Sequence, residues 1–319
     1  MRLARTIVGK VAILLASLAA ASVLVFALCS LLPGDVALVL LGQNASADDV
    51  ARLRQQLGLD RPFWQRYADW AGGLATGDLG RSQVSGIPVA DTLAYAGPVT
   101  VSLVLGGMIL ALVVAVPAGM HAAVRRRHLD GLATSMLSQI GLALPAFWLG
   151  LILSILFGPV LRWLPANGYV PLNEDPVAWA RHLVLPVIAL GVVQGAILTR
   201  YVRSAFLEVL HEDYLRTALA GGWRLVPALL RHGMRNAALS VMTILGLQLA
   251  TLLVGAIVVE QVFVMPGLGS QLLLAVQQRD LISVQSLVMV LVACVLVLMT
   301  VVDLAQLVLD PRQRDRRPA

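Results

Sequence analysis

The chain has 319 residues, 58% of them hydrophobic and only 13% charged, with a formal net charge of +6 and a mean hydropathy of +0.82. A soluble domain carries about 25% charged residues; the deficit here is concentrated in long uncharged runs, which excludes an ordinary soluble fold and indicates an all-α integral membrane protein. The positive charge does not indicate nucleic acid, because the arginines sit at the ends of apolar runs and aromatics are only 5%.

Residues 1–10 are basic and precede an uncharged run of 23 residues, 11–33. That is longer than the apolar core of a signal peptide, about 7–15 residues. Leu28 before Cys29 also makes a poor lipoprotein cleavage site. The run reads as an uncleaved first spanning helix. Residues 34–96 are polar enough to lie outside the membrane, and their periodicity predicts one or two short amphipathic helices. Trp64, Tyr67 and Trp70 recur there at i, i+3 and i+6, suiting an interfacial belt or a packed face.

Five more uncharged runs follow, at 97–120, 132–161, 183–199, 237–259 and 281–302. A span needs about 20 residues. The run 132–161 is long enough for one span with a tilt or an interfacial piece. The fourth run is short, and Arg200 to Arg203 extend it to 183–203, their charged heads snorkelling out of the membrane lipid to its headgroups. The fifth and sixth spans are read as 237–260 and 281–306. Segments 162–182 and 261–280 connect them on one side, and 204–236 and the tail 307–319 lie on the other. Cys29 and Cys294 fall inside apolar runs and read as small hydrophobes. The five histidines form no ligand-spaced pair, so no metal site is expected.

Basic residues set the orientation. The side holding both termini, 121–131 and 200–236 carries 16 of the 24 Lys and Arg and 7 of the 18 Asp and Glu. Both termini are therefore expected to be cytoplasmic.

Within 204–236 the stretch HEDYLRTALAGGWRLVPALLRHG is too polar to span and too regular for a slack loop. At helical period Tyr214, Ala218 and Gly222 fall on one face, where small residues let another surface approach. Pro227 marks a new helix or a bend. The pattern predicts a short helix, a turn and a second helix running into span five, built to be gripped by a partner. The plainer reading is a positive-inside loop.

The pattern Tyr214, Thr217, Ala218, Gly222, followed by Arg231-His232 and Arg235-Asn236, resembles the EAA loop of ABC-importer permeases. More narrowly, the chain resembles the first-subunit branch of the dipeptide/oligopeptide/nickel permeases. The likeness covers nearly the whole chain: LPGD (32–35), LGLDRPFWQRYADW (57–70), GDLGRS (77–82), PVADTL (88–93), WLPANGYVP (163–171), HLVLPVIALG (182–191), VVEQVFVMPGLGSQL (258–272) and VDLAQLVLDPRQR (302–314) occur in order. Each is weak alone; the order and spacing are specific. Gly221 stands where the family usually has a basic residue, and Ser240 where it often has a proline.

The resemblance implies a type I ABC-importer permease fold with six transmembrane helices in a bacterial inner membrane. It implies a non-catalytic subunit, binding no cofactor itself, that forms half of a pathway for di- or oligopeptides. The other half is a homologous second permease. ATP and magnesium reside on one fused or two separate ABC ATPase subunits, and an extracytoplasmic binding protein delivers substrate. No Walker-type segment is present, and Lys10 is the only lysine. Tyr214, Thr217, Ala218, Gly221, Gly222, Trp223, Arg231, His232 and Arg235 are the residues expected to couple to the ATPase. Nickel-chelate and glutathione-type permeases are the alternatives within the family.

Three polar residues are candidates for the pathway. Glu260, at the outer end of span five, reads as a gate or a ligand for a peptide amine, or as an interfacial carboxylate that is hydrated or paired with an external arginine. Gln194 and Gln248 read as cavity lining or as an interhelical hydrogen bond. A self-sufficient secondary transporter would need charged or broken helices in repeated halves; the six runs lack charges and no clear repeat appears. A non-transporting scaffold would explain the spans but not the segment 211–233.

Overall fold

The computed structural model describes residues 2–31, 36–42, 45–56 and 58–309. The LPGD motif at 32–35, Leu57 and the last ten residues of the expected cytoplasmic tail, 310–319, lie outside the described residues. The helices are α1 (Arg2–Ser30), α2 (Val36–Leu41), α3 (Ala47–Gln56), α4 (Phe63–Thr76), α5 (Val89–Val124), α6 (Leu129–Ala143), α7 (Ala146–Ile155), α8 (Pro176–Val209), α9 (Asp213–Ala220), α10 (Leu225–Ala228), α11 (Met234–Val262), α12 (Leu268–Gln277) and α13 (Leu281–Leu309). Wide π-type turns continue α7 through Leu156–Val160 and join α10 to α11 through Leu229–Gly233.

Helices α1, α5, α8, the continuous run Leu225–Val262 and α13 are long and apolar enough to cross a membrane. The third span departs from expectation. In place of one helix over 132–161 there are two, α6 and α7, meeting at 91°. The break falls at Leu144-Pro145, both extended. Proline lacks an N–H and pushes the preceding residue out of the helical region. An uncharged run shows that a segment belongs in lipid, but it does not show that the segment is straight.

The chain folds as two compact units. The first is built on 100–265, joined by the described residues at both chain ends; the second comprises 8–99 and 266–297.

Helix α8 is the centre of the first unit and packs against α6, α7 and α11. It starts sharply because Pro176 occupies its first turn and Asp175 Oδ1 accepts the amides of Val177 and Ala178 at 2.9 and 3.0 Å. It also crosses α5 at close range. A methyl group added to Gly191 would lie 2.8 Å from the Leu110 side chain. One added to Gly119 would lie 2.7 Å from Val202 and 2.9 Å from the Thr199 carbonyl oxygen. In lipid, two apolar helices gain little by leaving the acyl chains, so close packing at small residues holds them together.

In the second unit one face of α4 closes on Phe26 of α1. The rings of Phe63, Tyr67 and Trp70 lie 5.2, 5.6 and 5.5 Å from its ring centroid. The expected stripe of Trp64, Tyr67 and Trp70 is therefore off by one residue at its start, and Trp64 is 71% exposed. Steps of three lag a helical turn, whereas 63, 67 and 70 keep to one face. After α4, Leu79 O accepts the Ser286 hydroxyl at 2.7 Å, and Asp280 Oδ1 accepts the Gln83 amide at 3.1 Å. Gly80 between them has φ +78° and stands where a side chain would meet Ile282. These bonds give GDLGRS a structural reason: it stitches the end of α4 to the start of α13.

Candidate coupling segment and buried polar contacts

The segment expected to meet a partner starts one turn after α8. Helix α9 is anchored by Leu215, which is 1% exposed, and by Tyr214, whose hydroxyl accepts a hydrogen bond from Asn236 Nδ2 at 3.0 Å. Thr217 turns its hydroxyl back onto the Asp213 carbonyl oxygen at 3.0 Å. Ala218 is half-buried, and Gly221, Gly222 and Trp223 are exposed.

Helix α9 ends in a Schellman turn. The Trp223 amide donates to the Ala218 carbonyl at 3.2 Å, and the Gly222 amide to that of Leu219 at 3.0 Å. Gly222 has φ +90°, with no atom within 4 Å of where its Cβ would lie. This corrects the expectation that Gly222 shares a helical face with Tyr214 and Ala218. The helix has already ended, and the glycine is needed because it is the residue that takes a left-handed conformation without strain. Gly221 has φ −76°, a conformation open to any residue.

After the turn, Trp223 stacks edge-on against His232, with ring centroids 5.2 Å apart. Pro227 lies in the first turn of α10, where no amide is needed. From Leu225 the chain runs helically to Val262, so this segment and the fifth span are one rod. Leu219, Trp223, Val226 and Leu230 are each 38–48% exposed, and Arg231, His232 and Arg235 are also exposed. The Asp213–Arg216 pair at 3.5 Å lies in solvent and adds little, about 0.5 kcal/mol or less. What this arrangement offers is a firmly mounted, partly apolar and cationic surface.

The three pathway candidates are buried. Gln194 Nε2 of α8 donates to Gln248 Oε1 of α11, so the structure joins them to each other. Glu260 of α11 is 0% exposed, and Thr100 Oγ1 of α5 donates to its carboxylate at 2.5 Å. The reading of Glu260 as a hydrated interfacial group does not hold in this subunit. Nothing in the sequence marked Thr100, whose partner lies 160 positions away. Just beyond, Val264 takes φ +52°, a rare and strained conformation for a β-branched residue. Its neighbours Phe263 and Met265 are 2% and 1% exposed and hold it there.

Comparison with known proteins accords with this architecture. The family described as the binding-protein-dependent transport system inner membrane component matches residues 115–315, and its N-terminal companion matches 1–104. The glutathione transport system permease protein GsiC of Escherichia coli O6:H1 (strain CFT073) is 38% identical over 92% of this chain and 93% of its own length. The di/tripeptide transport system permease protein DppB of Pseudomonas aeruginosa (strain UCBPP-PA14) is 35% identical over 98% and 99%. The dipeptide transport system permease protein DppB of Escherichia coli K12 is 36% identical over 93% and 94%. With its spanning helices and with matches along nearly its whole length, this chain belongs to the family of inner-membrane components of binding-protein-dependent transport systems.

Proposed function

We propose that this permease carries short peptides and works as one of a pair, with a homologous second permease supplying the other half of the pathway. An extracytoplasmic binding protein delivers the peptide. One fused or two separate ABC ATPases bind ATP and magnesium and drive the cycle, and the chain itself catalyses nothing. Both termini and 204–236 face the cytoplasm, a reading supported by the basic-residue asymmetry.

The observation that carries the coupling role is the mounting of α9. The helix is pinned by Leu215 and Tyr214, capped by Gly222 and joined by a short turn to a rod that ends in the fifth span. An ATPase that grips Leu219, Trp223 and Val226 would move that span as a rigid body. Gln194, Gln248 and Glu260 would then act at helix contacts that change partners when the pathway switches, because a buried polar group left unpaired is costly.

Uptake of a labelled dipeptide tests the substrate class, in cells lacking the gene and in cells with it restored. Unlabelled dipeptide, pentapeptide, glutathione and a nickel salt serve as competitors. Gene-dependent uptake blocked by dipeptide supports the reading. Glutathione is included because a relative with that printed role is as similar as the peptide permeases. Competition by glutathione or nickel alone would move the substrate to that class.

A further inference from the structure

The second unit carries a pocket of about 320 Å³, open to solvent on one side, that none of the contacts described above requires. Gln285 lines it, is 4% exposed, and finds no hydrogen-bond partner among the described residues. Its side-chain amide therefore opens onto the pocket, where a polar ligand can meet it. Arg66, half-buried on the same wall, pairs with no carboxylate among the described residues; its guanidinium lies over the Phe26 ring at 5.9 Å. Trp70 Nε1 and Gln83 Oε1, of two further wall residues, are also buried without a partner.

The charges of the lining sort into a pattern. Arg61 is already committed to Asp69 at 3.2 Å, and Asp78 receives the Gly80 amide at 2.8 Å. That leaves Arg66 as the uncommitted cation, with two carboxylates on the same wall. A ligand that satisfies the wall carries a carboxylate, an ammonium and an amide between them. The cavity is at the small end of ligand pockets, which run from about 300 Å³, so the ligand is short.

We infer that this pocket binds a short zwitterionic peptide, with Arg66 taking its carboxylate, Gln285 its amide, and Asp78 its ammonium. The choice of a peptide over another zwitterion rests on the proposed function. Such a site would hold substrate on the permease apart from the Gln194–Gln248 and Thr100–Glu260 contacts.

Isothermal titration calorimetry of the purified full-length chain in detergent tests this directly. The probes are dialanine, dialanine amide, N-acetyl-dialanine and sodium acetate. Dialanine is expected to bind, and blocking either end is expected to weaken it about tenfold or more, as is Arg66→Gln or Gln285→Leu, since each removes a bond to or beside a charge. Arg66→Gln lies on a half-buried position and keeps the test open should Gln285→Leu unfold. Trp64→Ala, outside the cavity lining, should bind as the parent does.

No binding of dialanine would overturn the inference, as would acetate binding as tightly as dialanine or unchanged affinity in Arg66→Gln. Binding in the calorimeter without gene-dependent peptide uptake would sink the proposed function and leave the cavity assignment standing. Uptake without calorimetric binding would do the reverse.

Discussion

The side-chain amide of Asn236 donates to the hydroxyl of Tyr214 at 3.0 Å, tying helix α9 to the first turn of α11, the helix of the fifth span. The two residues are 22 positions apart, so this bond closes the stretch that holds the turn, α10 and the wide turn after it. Tyr214→Phe removes the acceptor and keeps the ring. A hydrogen bond of this kind contributes about 1 kcal/mol, so amides of α9 are expected to exchange several-fold faster with deuterium while the spans stay protected. Uptake should fall, because a looser α9 transmits less of the partner's movement. Unchanged exchange would show that Leu215 alone holds the helix.

Gln194 and Gln248 make a buried pair between α8 and α11. Gln194→Leu strands the Gln248 amide, and Gln248→Leu strands its partner. Interhelical hydrogen bonds in membranes contribute about 0.6–1.7 kcal/mol. Each single change should lower the thermal midpoint of the purified protein, and the double change should restore part of the loss because no group is left unpaired. Additive losses in the double variant would mean the pair is not coupled.

How much of this was legible beforehand depended on the range of the interactions involved. The spanning runs were readable because a lipid-facing helix must be apolar along its length, and the helix–turn–helix of 213–233 was readable because its signals are local. Gly222 was read as part of a helical contact face, whereas the double glycine marks the Schellman turn that ends α9. The bend at Leu144-Pro145 was written in the proline and hidden by the unbroken apolar run around it. The partnership of Glu260 with Thr100 and the cavity around Arg66 and Gln285 were out of reach, because tertiary packing alone brings those segments together.

Gly119 and Gly191 set the closeness of α5 and α8. Gly119→Leu drives a side chain into Val202 and the Thr199 carbonyl, where backbone has no room to yield. Overpacking of this kind costs about 1–3 kcal/mol or more. The variant is expected to accumulate at a lower level in membranes and to melt earlier in detergent. A melting curve equal to that of the parent would show that the two helices part without penalty.

Asp130, between the second and third spanning segments, sits in a small electrostatic clamp. Arg125 Nε donates to its carboxylate at 2.9 Å, the Gly131 amide donates at 3.0 Å, and His121 Nε2 lies 3.5 Å away. Burial acts to raise the Asp130 carboxyl, but the Gly131 amide, Arg125 and His121 together outweigh it and hold it below its ordinary value. The clamp therefore stabilises the fold above the ordinary carboxylate range and loses that contribution as pH falls through the lowered value. Thermal melts from about pH 7 to about pH 3 should show a gap between parent and Asp130→Asn that closes toward acid. High salt should narrow the gap at neutral pH, since the group is open to solvent. A gap that widens in acid would give the clamp the wrong sign.

The most direct test of the coupling account compares Gly222→Arg with Gly221→Arg in the assembled transporter. Labelled peptide uptake is read together with recovery of the ATPase on purification. Gly221 has an ordinary backbone conformation and should accept arginine with uptake retained, whereas arginine at Gly222 must adopt φ +90° in the turn that ends α9. The account predicts that Gly222→Arg inserts normally, loses uptake and recovers less ATPase. Undiminished uptake in Gly222→Arg would contradict the assignment of 213–233 as the coupling segment.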